Sequence, residues 1–260
     1  MPEGVEIEFY RRAAETVVGR EIVRVDAPDA WFLKDGATPE EMAERCLGRR
    51  IEQARRRGKL LILDLDDGAR LGLRFGMTGR LVVDGKASIP YLEYASRRDE
   101  PAWVRFTLEF ADGGTLLIND PRRLGGVSID PNEQALGVDV FGIDRETFRK
   151  RVLSGEVAVK ARLLDQGRVA GIGNLIGDET LWRAGIDPAR PAGSLTDEEG
   201  DRLLSTLQQV LVDFLADGGS HTGRLQSARV RGGLCPQDGE PLQRREIGGR
   251  TTYSCAGHQR

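Results

Sequence analysis

A chain of 260 residues with 39% hydrophobic and 30% charged content can bury a sizeable core, as one large or two smaller domains. A net charge of −3 argues against a uniformly basic polymer-binding surface, and no apolar run approaches the ~20 residues of a membrane-spanning helix. Three cysteines without dense spacing exclude a disulfide scaffold, and an acidic, Pro-led start is unlike a secretory signal, so the expected compartment is the cytoplasm.

The chain opens Met1-Pro2-Glu3-Gly4-Val5-Glu6. Removal of Met1 would leave Pro2 as a free secondary amine, able to attack an electrophilic carbon and persist as a cationic iminium, with the Glu3 carboxyl beside it as a proton source for a leaving group. The same six residues also make an unremarkable start to a protein. Apolar residues at Ile7, Tyr10, Ala14 and Val17 then recur at helical spacing up to Gly19. A strand is expected over 21–27. Thr38-Pro39-Glu40-Glu41 forms a capping box with Pro at the first helical position, Gly48 ends that short helix, and Cys46 within it reads as core filler. Strand patterns follow at 50–54, 60–65, 69–74, 79–83, 103–110 and 114–118, separated by Gly turns, which indicates a β-sandwich. The polar stretch 84–101 reads as a loop, and an inter-domain linker is placed near 130–143.

From Asp144 the pattern is helical: a capped helix to Leu153, a short one over 158–165, and a third from Asn174 to Ala184. Thr196-Asp-Glu-Glu199 is a second capping box, opening a long helix whose Leu203, Leu204, Leu207, Val210, Leu211, Phe214 and Leu215 form one apolar stripe before Gly218-Gly219. The last forty residues lack a core of their own, a condition that calls for a metal or a similar staple. Charge is uneven: 49–59 holds six basic residues against Glu52 alone, and seven arginines follow from Arg224 against Asp238, Glu240 and Glu246. Phosphate binding depends on such local patches more than on the total.

Five constellations carry chemistry. Arg57-Gly58-Lys59 precedes a buried-looking strand, so Lys59 is either a solvated edge residue or a cation fixed for a phosphate or a proton. Arg74-Phe75-Gly76-Met77-Thr78-Gly79 puts Met77 on a Gly-flanked turn, as core or as probe. Asp120-Pro121-Arg122-Arg123-Leu124-Gly125 sets an exposed Leu beside arginines, a pattern suited to a wedge between stacked bases, with Arg122 hydrogen-bonding an unpaired base. Val169-Ala170-Gly171-Ile172-Gly173-Asn174 leads into a helix N-terminus that can hold a phosphate, with Asn174 as cap or as phosphate contact; a plain packing turn is the other reading. Cys235-x2-Asp238-x16-Cys255-x2-His258 has the spacing of a zinc ribbon with Gly248-Gly249 as its turn, although Asp238 also suits a turn before Gly239.

Taken in order, these motifs resemble the formamidopyrimidine-DNA glycosylase and endonuclease VIII family of bifunctional base-excision repair enzymes, and the similarity spans essentially the whole chain. The resemblance implies an α+β multidomain protein: an N-terminal β-sandwich with the N-terminal helix (1–135), a helix–two-turn–helix domain (144–219) and a C-terminal zinc-finger hairpin (220–260). It implies Pro2 as nucleophile, Glu3 as general acid, Glu6 as a supporting carboxylate and Lys59 as the sandwich-domain lysine. Lys160 and Asn174 match phosphate-contacting residues, Arg250 matches the finger arginine, and Met77, Arg122 and Leu124 match residues that fill the gap left by a flipped nucleotide. One structural zinc is implied, on Cys235, Asp238, Cys255 and His258. The expected partner of this monomer is double-stranded DNA bearing damaged bases or abasic sites, cleaved by β,δ-elimination.

Departures from the family pattern are Val5 for a second proline, Leu124 for a common Phe, Arg74 for a common His, and Asp238 and His258 at usual cysteine positions. Rival readings are a catalytically silent paralogue binding damaged or branched DNA, and an RNA-binding protein. Only about seven residues, 220–226, separate Gly219 from the run leading into the finger. The long loop that closes over a flipped purine in the 8-oxoguanine branch is therefore missing, and oxidised pyrimidines are the expected preference.

Overall fold

The apolar positions spaced for a helix near the N-terminus, Ile7, Tyr10, Ala14 and Val17, are all buried in a computed structural model that describes residues 2–89, 92–93 and 100–260. The helix itself, α1, covers Gly4–Glu15, ending earlier than the periodicity suggests because a turn intervenes before Gly19 (φ +83°). The chain divides into two compact units, one made of Pro2 and Glu6–Glu133, the other of Glu3–Val5 and Gln134–Arg260.

In the first unit β1 (Ile22–Asp26) follows α1, and α2 (Pro39–Cys46) starts from the expected capping box, in which Thr38 accepts from the Glu41 N–H and Glu41 accepts from the Thr38 N–H. Then come β2 (Ile51–Arg57), β3 (Leu60–Leu65), β4 (Arg70–Arg74), β5 (Arg80–Val83), β6 (Lys86–Ala87), β7 (Val104–Phe110), β8 (Thr115–Asn119) and β9 (Gly126–Ile129). They form a five-stranded sheet in the order β1-β7-β8-β5-β6 and a four-stranded sheet in the order β2-β3-β4-β9. Leu61, Leu63, Leu71 and Leu73 from the second sheet share one core with Phe106, Leu108, Leu116 and Ile118 from the first. This is the expected sandwich, with two differences. The loop expected over 84–101 contains β6, and its residues 90–91 and 94–99 lie outside the described residues. Strand β9 falls just ahead of the region expected to be linker, and it pairs with β4. Cys46 fills core as expected, and burial pushes its thiol up to about 12.

Two turns of this unit are built against each other. Tyr10 donates its hydroxyl to the Gly79 carbonyl (2.9 Å), and its ring lies 4.4 Å from that of Phe75, so α1 fixes the 75–79 turn. The buried Asp120 carboxylate accepts from the Thr78 hydroxyl (2.6 Å) and from the N–H groups of Arg122 (3.2 Å) and Gly125 (2.9 Å), fixing the 120–125 turn to the first. Gly76 sits at φ +55°, and a Cβ there would come within 2.4 Å of the Leu124 backbone, so only glycine permits this approach.

In the second unit β10 (Val138–Asp139) pairs in parallel with β11 (Val169–Ala170). Between them lie α3 (Arg145–Val152), capped by Asp144, and α4 (Val159–Leu164). Helix α5 (Asn174–Ala184) ends at Gly185 in the left-handed region, and α6 (Asp197–Asp217) opens with the second capping box. Strands β12 (Leu242–Ile247) and β13 (Arg250–Cys255) make the C-terminal hairpin, turning at Gly248-Gly249 as the spacing suggests.

Replacing Asp120 with Ala would strip two buried or half-buried N–H groups and a buried hydroxyl of their acceptor. We expect a loss of about 2–3 kcal/mol, read from the urea midpoint at unchanged slope. An unchanged midpoint would mean that the two turns are not held through this carboxylate.

Candidate active site and metal centre

The first turn of an α-helix leaves backbone N–H groups without intrahelical partners. In α5 those groups are taken by Glu3, which is fully buried and accepts from Gly173 N (2.9 Å), Leu175 N (2.8 Å) and Ile176 N (3.0 Å). A carboxylate at a helix N-terminus is favoured by the helix dipole as well as by the hydrogen bonds. The Gly4 N–H donates to the Gly171 carbonyl (2.8 Å), so two successive residues of the N-terminal segment are seated on the Gly171-Ile172-Gly173 turn. A Cβ on Gly173 would fall 2.2 Å from the Glu3 carboxyl carbon, which is why the turn needs glycine there.

Asn174 is therefore not the cap of this helix: Gly173 holds that position, and the Asn174 amide donates instead to the Thr251 carbonyl (3.0 Å) of the finger hairpin. Its side-chain oxygen is buried with no hydrogen-bond partner. Lys160 departs from expectation more sharply. A residue expected to contact phosphate is completely buried, with its ammonium 2.6 Å from the Asp178 carboxylate and donating to the Thr252 hydroxyl (2.6 Å). Burial pushes the Lys160 ammonium down and the Asp178 carboxyl up, each opposed by the charge of the other. Arg229 adds a second cation, 3.0 Å from Asp178.

In the first unit Pro2, Ile7, Lys59, Arg74, Phe75, Gly76 and Leu124 line a cavity of about 190 Å³. Lys59 occupies the two-residue loop between β2 and β3, where Gly58 (φ +59°) supplies the positive φ that such hairpins require. The cavity thus brings Pro2, two cationic side chains and the Leu124 turn together. Met77 is half-buried on the adjoining turn, while Arg122 is exposed and Leu124 is 50% exposed. Glu6 is buried on α1; together with burial, its charge raises the Tyr10 phenol well above the usual range.

The finger gathers its four candidate ligands: one donor atom each from Cys235, Asp238, Cys255 and His258 lies within 4.8 Å of the others. Cys255 Sγ is 3.2 Å from Asp238 Oδ2, which is 3.2 Å from His258 Nδ1, and that nitrogen is 3.6 Å from Cys235 Sγ. Tetrahedral ligands about 2.0–2.3 Å from one ion stand roughly 3.3–3.8 Å apart, so the cluster has the dimensions of one closed four-ligand site. Outer contacts orient the ligands. His258 Nε2 lies 3.0 Å from the Trp182 carbonyl, a contact that fixes its proton there and turns Nδ1 toward the cluster, and the Trp182 indole N–H donates to Cys235 Sγ (3.3 Å). Asp238 stands within the cluster. Arg250 is exposed at the first position of β13.

Sequence reasoning missed the buried acidic pair of α5. Asp178 joins α4, α5 and the finger through Lys160, Arg229 and the Tyr253 N–H. Glu179 accepts from the N–H groups of Arg224 (3.0 Å) and Leu225 (2.9 Å) and pairs with Arg183 (2.6 Å). The signal was present: two adjacent carboxylates inside a helix flanked by Leu175, Ile176, Leu181 and Trp182 must be paired if that helix is buried.

Residues 1–127 match the formamidopyrimidine-DNA glycosylase N-terminal domain, and residues 131–225 match the H2TH domain of the same family. The chain is 33% identical over 290 residues to the formamidopyrimidine-DNA glycosylase of Ruegeria pomeroyi, covering 100% of both chains. It is 38% identical over 242 residues to that of Methylocella silvestris, covering 85% of this chain and 81% of the relative. Among solved structures, a complex between the Lactococcus lactis Fpg and DNA containing an abasic site superposes with a TM-score of 0.82 at 26% identity, covering 99% of each chain. A Lactococcus lactis FPG mutant bound to Fapy-dG DNA gives 0.83, also at 26% identity and 99% coverage of each chain. Sandwich, helix–two-turn–helix, finger and buried N-terminal carboxylate together define one class of protein, the helix–two-turn–helix DNA glycosylases. The chain belongs to the formamidopyrimidine-DNA glycosylase and endonuclease VIII family.

Glu3→Ala would leave three buried N–H groups without acceptors, so we expect about 3 kcal/mol or more of destabilisation, with Glu3→Gln milder because its carbonyl oxygen still accepts. Comparison of the two thermal midpoints checks this. Equal midpoints for both variants and the parent would remove the carboxylate from the seat of α5.

Proposed function

We propose that this protein is a base-excision repair glycosylase with abasic-site lyase activity, using Pro2 as nucleophile. The observation that carries the reading is the seating of Glu3 on the α5 N-terminus, which holds the preceding imino acid in one place. Without Met1, the Pro2 nitrogen attacks C1′ of a flipped nucleotide and gives up its proton as the C1′–base bond breaks and the base departs protonated; the C1′–O4′ bond then opens, O4′ taking a proton from water, and the sugar remains as an iminium. That cation accepts electron density as C2′ loses a proton and the 3′ phosphate leaves; loss of the C4′ proton then expels the 5′ phosphate. An α-amine with a pKa of about 8 in the unfolded chain is already partly neutral near pH 7. Glu3 takes up the proton that the Pro2 nitrogen sheds and delivers it to the departing base, Glu6 supports it, and Lys59 and Arg74 hold the sugar–phosphate in the Pro2 cavity.

In this reading the 1–135 region supplies the chemistry, 144–219 grips the DNA backbone near Asn174, and 220–260 presents Arg250 to a phosphate. Met77, Arg122 and Leu124 fill the space that the flipped nucleotide vacates. Lys160 acts at one remove, as the buried cation that ties the α5 start to the finger. Zinc is the metal that suits two thiolates, an imidazole and a carboxylate in a closed set, and its chemistry here is structural: it folds the hairpin that carries Arg250.

Borohydride added during reaction with abasic-site DNA is expected to leave a covalent adduct at residue 2, while Pro2→Gly traps far more slowly. A variant that traps at the parent rate would assign the nucleophile elsewhere. Purified protein should carry one zinc per chain, with Asp238→Ala retaining less of it under chelator challenge. Undiminished zinc in that variant would return Asp238 to the role of turn residue.

For the lesion, we infer a preference for oxidised pyrimidines and abasic sites over 8-oxoguanine. The connection from α6 to the finger is pinned in its middle, its Arg224 and Leu225 N–H groups held by Glu179, Leu225 buried and Arg229 paired with Asp178, which supports a connection that does not fold over a purine. The relatives' names, which point to formamidopyrimidine lesions, pull the other way. Single-turnover excision of thymine glycol and dihydrouracil is expected to outrun that of 8-oxoguanine opposite cytosine. The reverse order would defeat the argument from the connection.

A further inference from the structure

Trp31 is the most exposed large apolar side chain among the described residues, at 69%. It occupies the middle of a rigid step rather than a loose loop. Phe32 beside it is fully buried in the sandwich core. The Lys34 N–H donates to the Val127 carbonyl of β9 (2.8 Å), and on the other side Asp29 takes two N–H groups from Arg123 (2.6 and 2.7 Å). The segment 29–34 is thus fastened at both ends to the 120–125 turn and the strand that follows it. The indole is held too: Lys34 Nζ lies 5.1 Å from its ring centre and donates to the Trp31 carbonyl (2.7 Å). Nothing in the core uses this side chain.

A fixed aromatic ring with an ammonium over it, fastened to a turn that carries a further exposed cation, matches a nucleic-acid strand, whose bases or sugars pack on the ring while phosphates meet the charges. The further cation is Arg122, exposed and without an ion-pair partner among the described residues. Neighbouring residues of the turn show which strand is in question. Leu124 lines the Pro2 cavity, whereas Arg123, outside that lining, pairs with Asp29, so the Trp31 step is fastened to the wedge turn through a residue that does not face the cavity. We propose that Trp31 and Lys34 form a contact surface for the strand opposite the flipped nucleotide, at the step next to the one that Leu124 fills. This rests on the glycosylase reading above and adds to it a second-strand contact.

The test compares Trp31→Ala with the parent by fluorescence anisotropy on two labelled DNAs, each carrying a reduced abasic analogue, one duplex and one single-stranded. Loss of a stacked aromatic contact is expected to weaken duplex binding about 5- to 20-fold, with single-stranded binding unchanged. Trp31→Phe, which keeps an aromatic face, is expected to recover most of the duplex affinity. Unchanged duplex binding by Trp31→Ala overturns the proposal, and so does an equal loss on both DNAs, because the contact would then not be to the opposite strand. Borohydride trapping by the parent protein is run alongside. Failure to trap would count against the glycosylase reading, whereas the duplex-specific loss concerns the strand contact alone.

Discussion

One carboxylate caps the helix on which the start of the second unit depends. Helix α5 must start somewhere with its first N–H groups satisfied, and Glu3 supplies the acceptor for three of them. The cost of removing such an acceptor from buried donors makes the contact stringent. The Gly4 N–H, bonded to the Gly171 carbonyl, adds a second tie, so residues 3 and 4 are held by the same physics that caps a helix.

The second unit repeats the device. Lys160 and Asp178 form a buried pair of charges, and the largely covered Arg229 adds a second cation to Asp178. Such a set adds little net stability over an apolar core, yet breaking it exposes an uncompensated charge, so it constrains arrangement more than it strengthens the fold. What it arranges is the start of α5 against β13, through the Asn174 amide to Thr251 and the Tyr253 N–H to Asp178.

Local features were legible in the residues. Both capping boxes, Thr38 with Glu41 and Thr196 with Glu199, can be read from a spacing of three, and the Gly248-Gly249 turn from two x2 pairs either side of it. The four residues that gather in the finger could be picked out for the same reason. Strand β9 could not, because four residues between Gly125 and Asp130 carry too little alternation to stand out, and their partner β4 lies some fifty positions earlier. Partnerships across the chain were equally hidden. Lys160 looks like any surface lysine until Asp178 is known to face it, and Asn174 looks like a cap until Glu3 is found in that place. The order of motifs along the whole chain, and not any single one, identified the family.

Cys46 is sealed inside the sandwich, and its thiol is pushed up to about 12, which leaves almost no thiolate near neutral pH and so almost no reactivity toward oxidants or alkylating agents. The only other cysteines are Cys235 and Cys255 in the finger. Thiol chemistry on the folded protein therefore has a single address. Oxidants or labelling reagents that consume sulfhydryls would reach the buried Cys235 and Cys255 only as the finger opens, two groups for each chain that has lost its organisation.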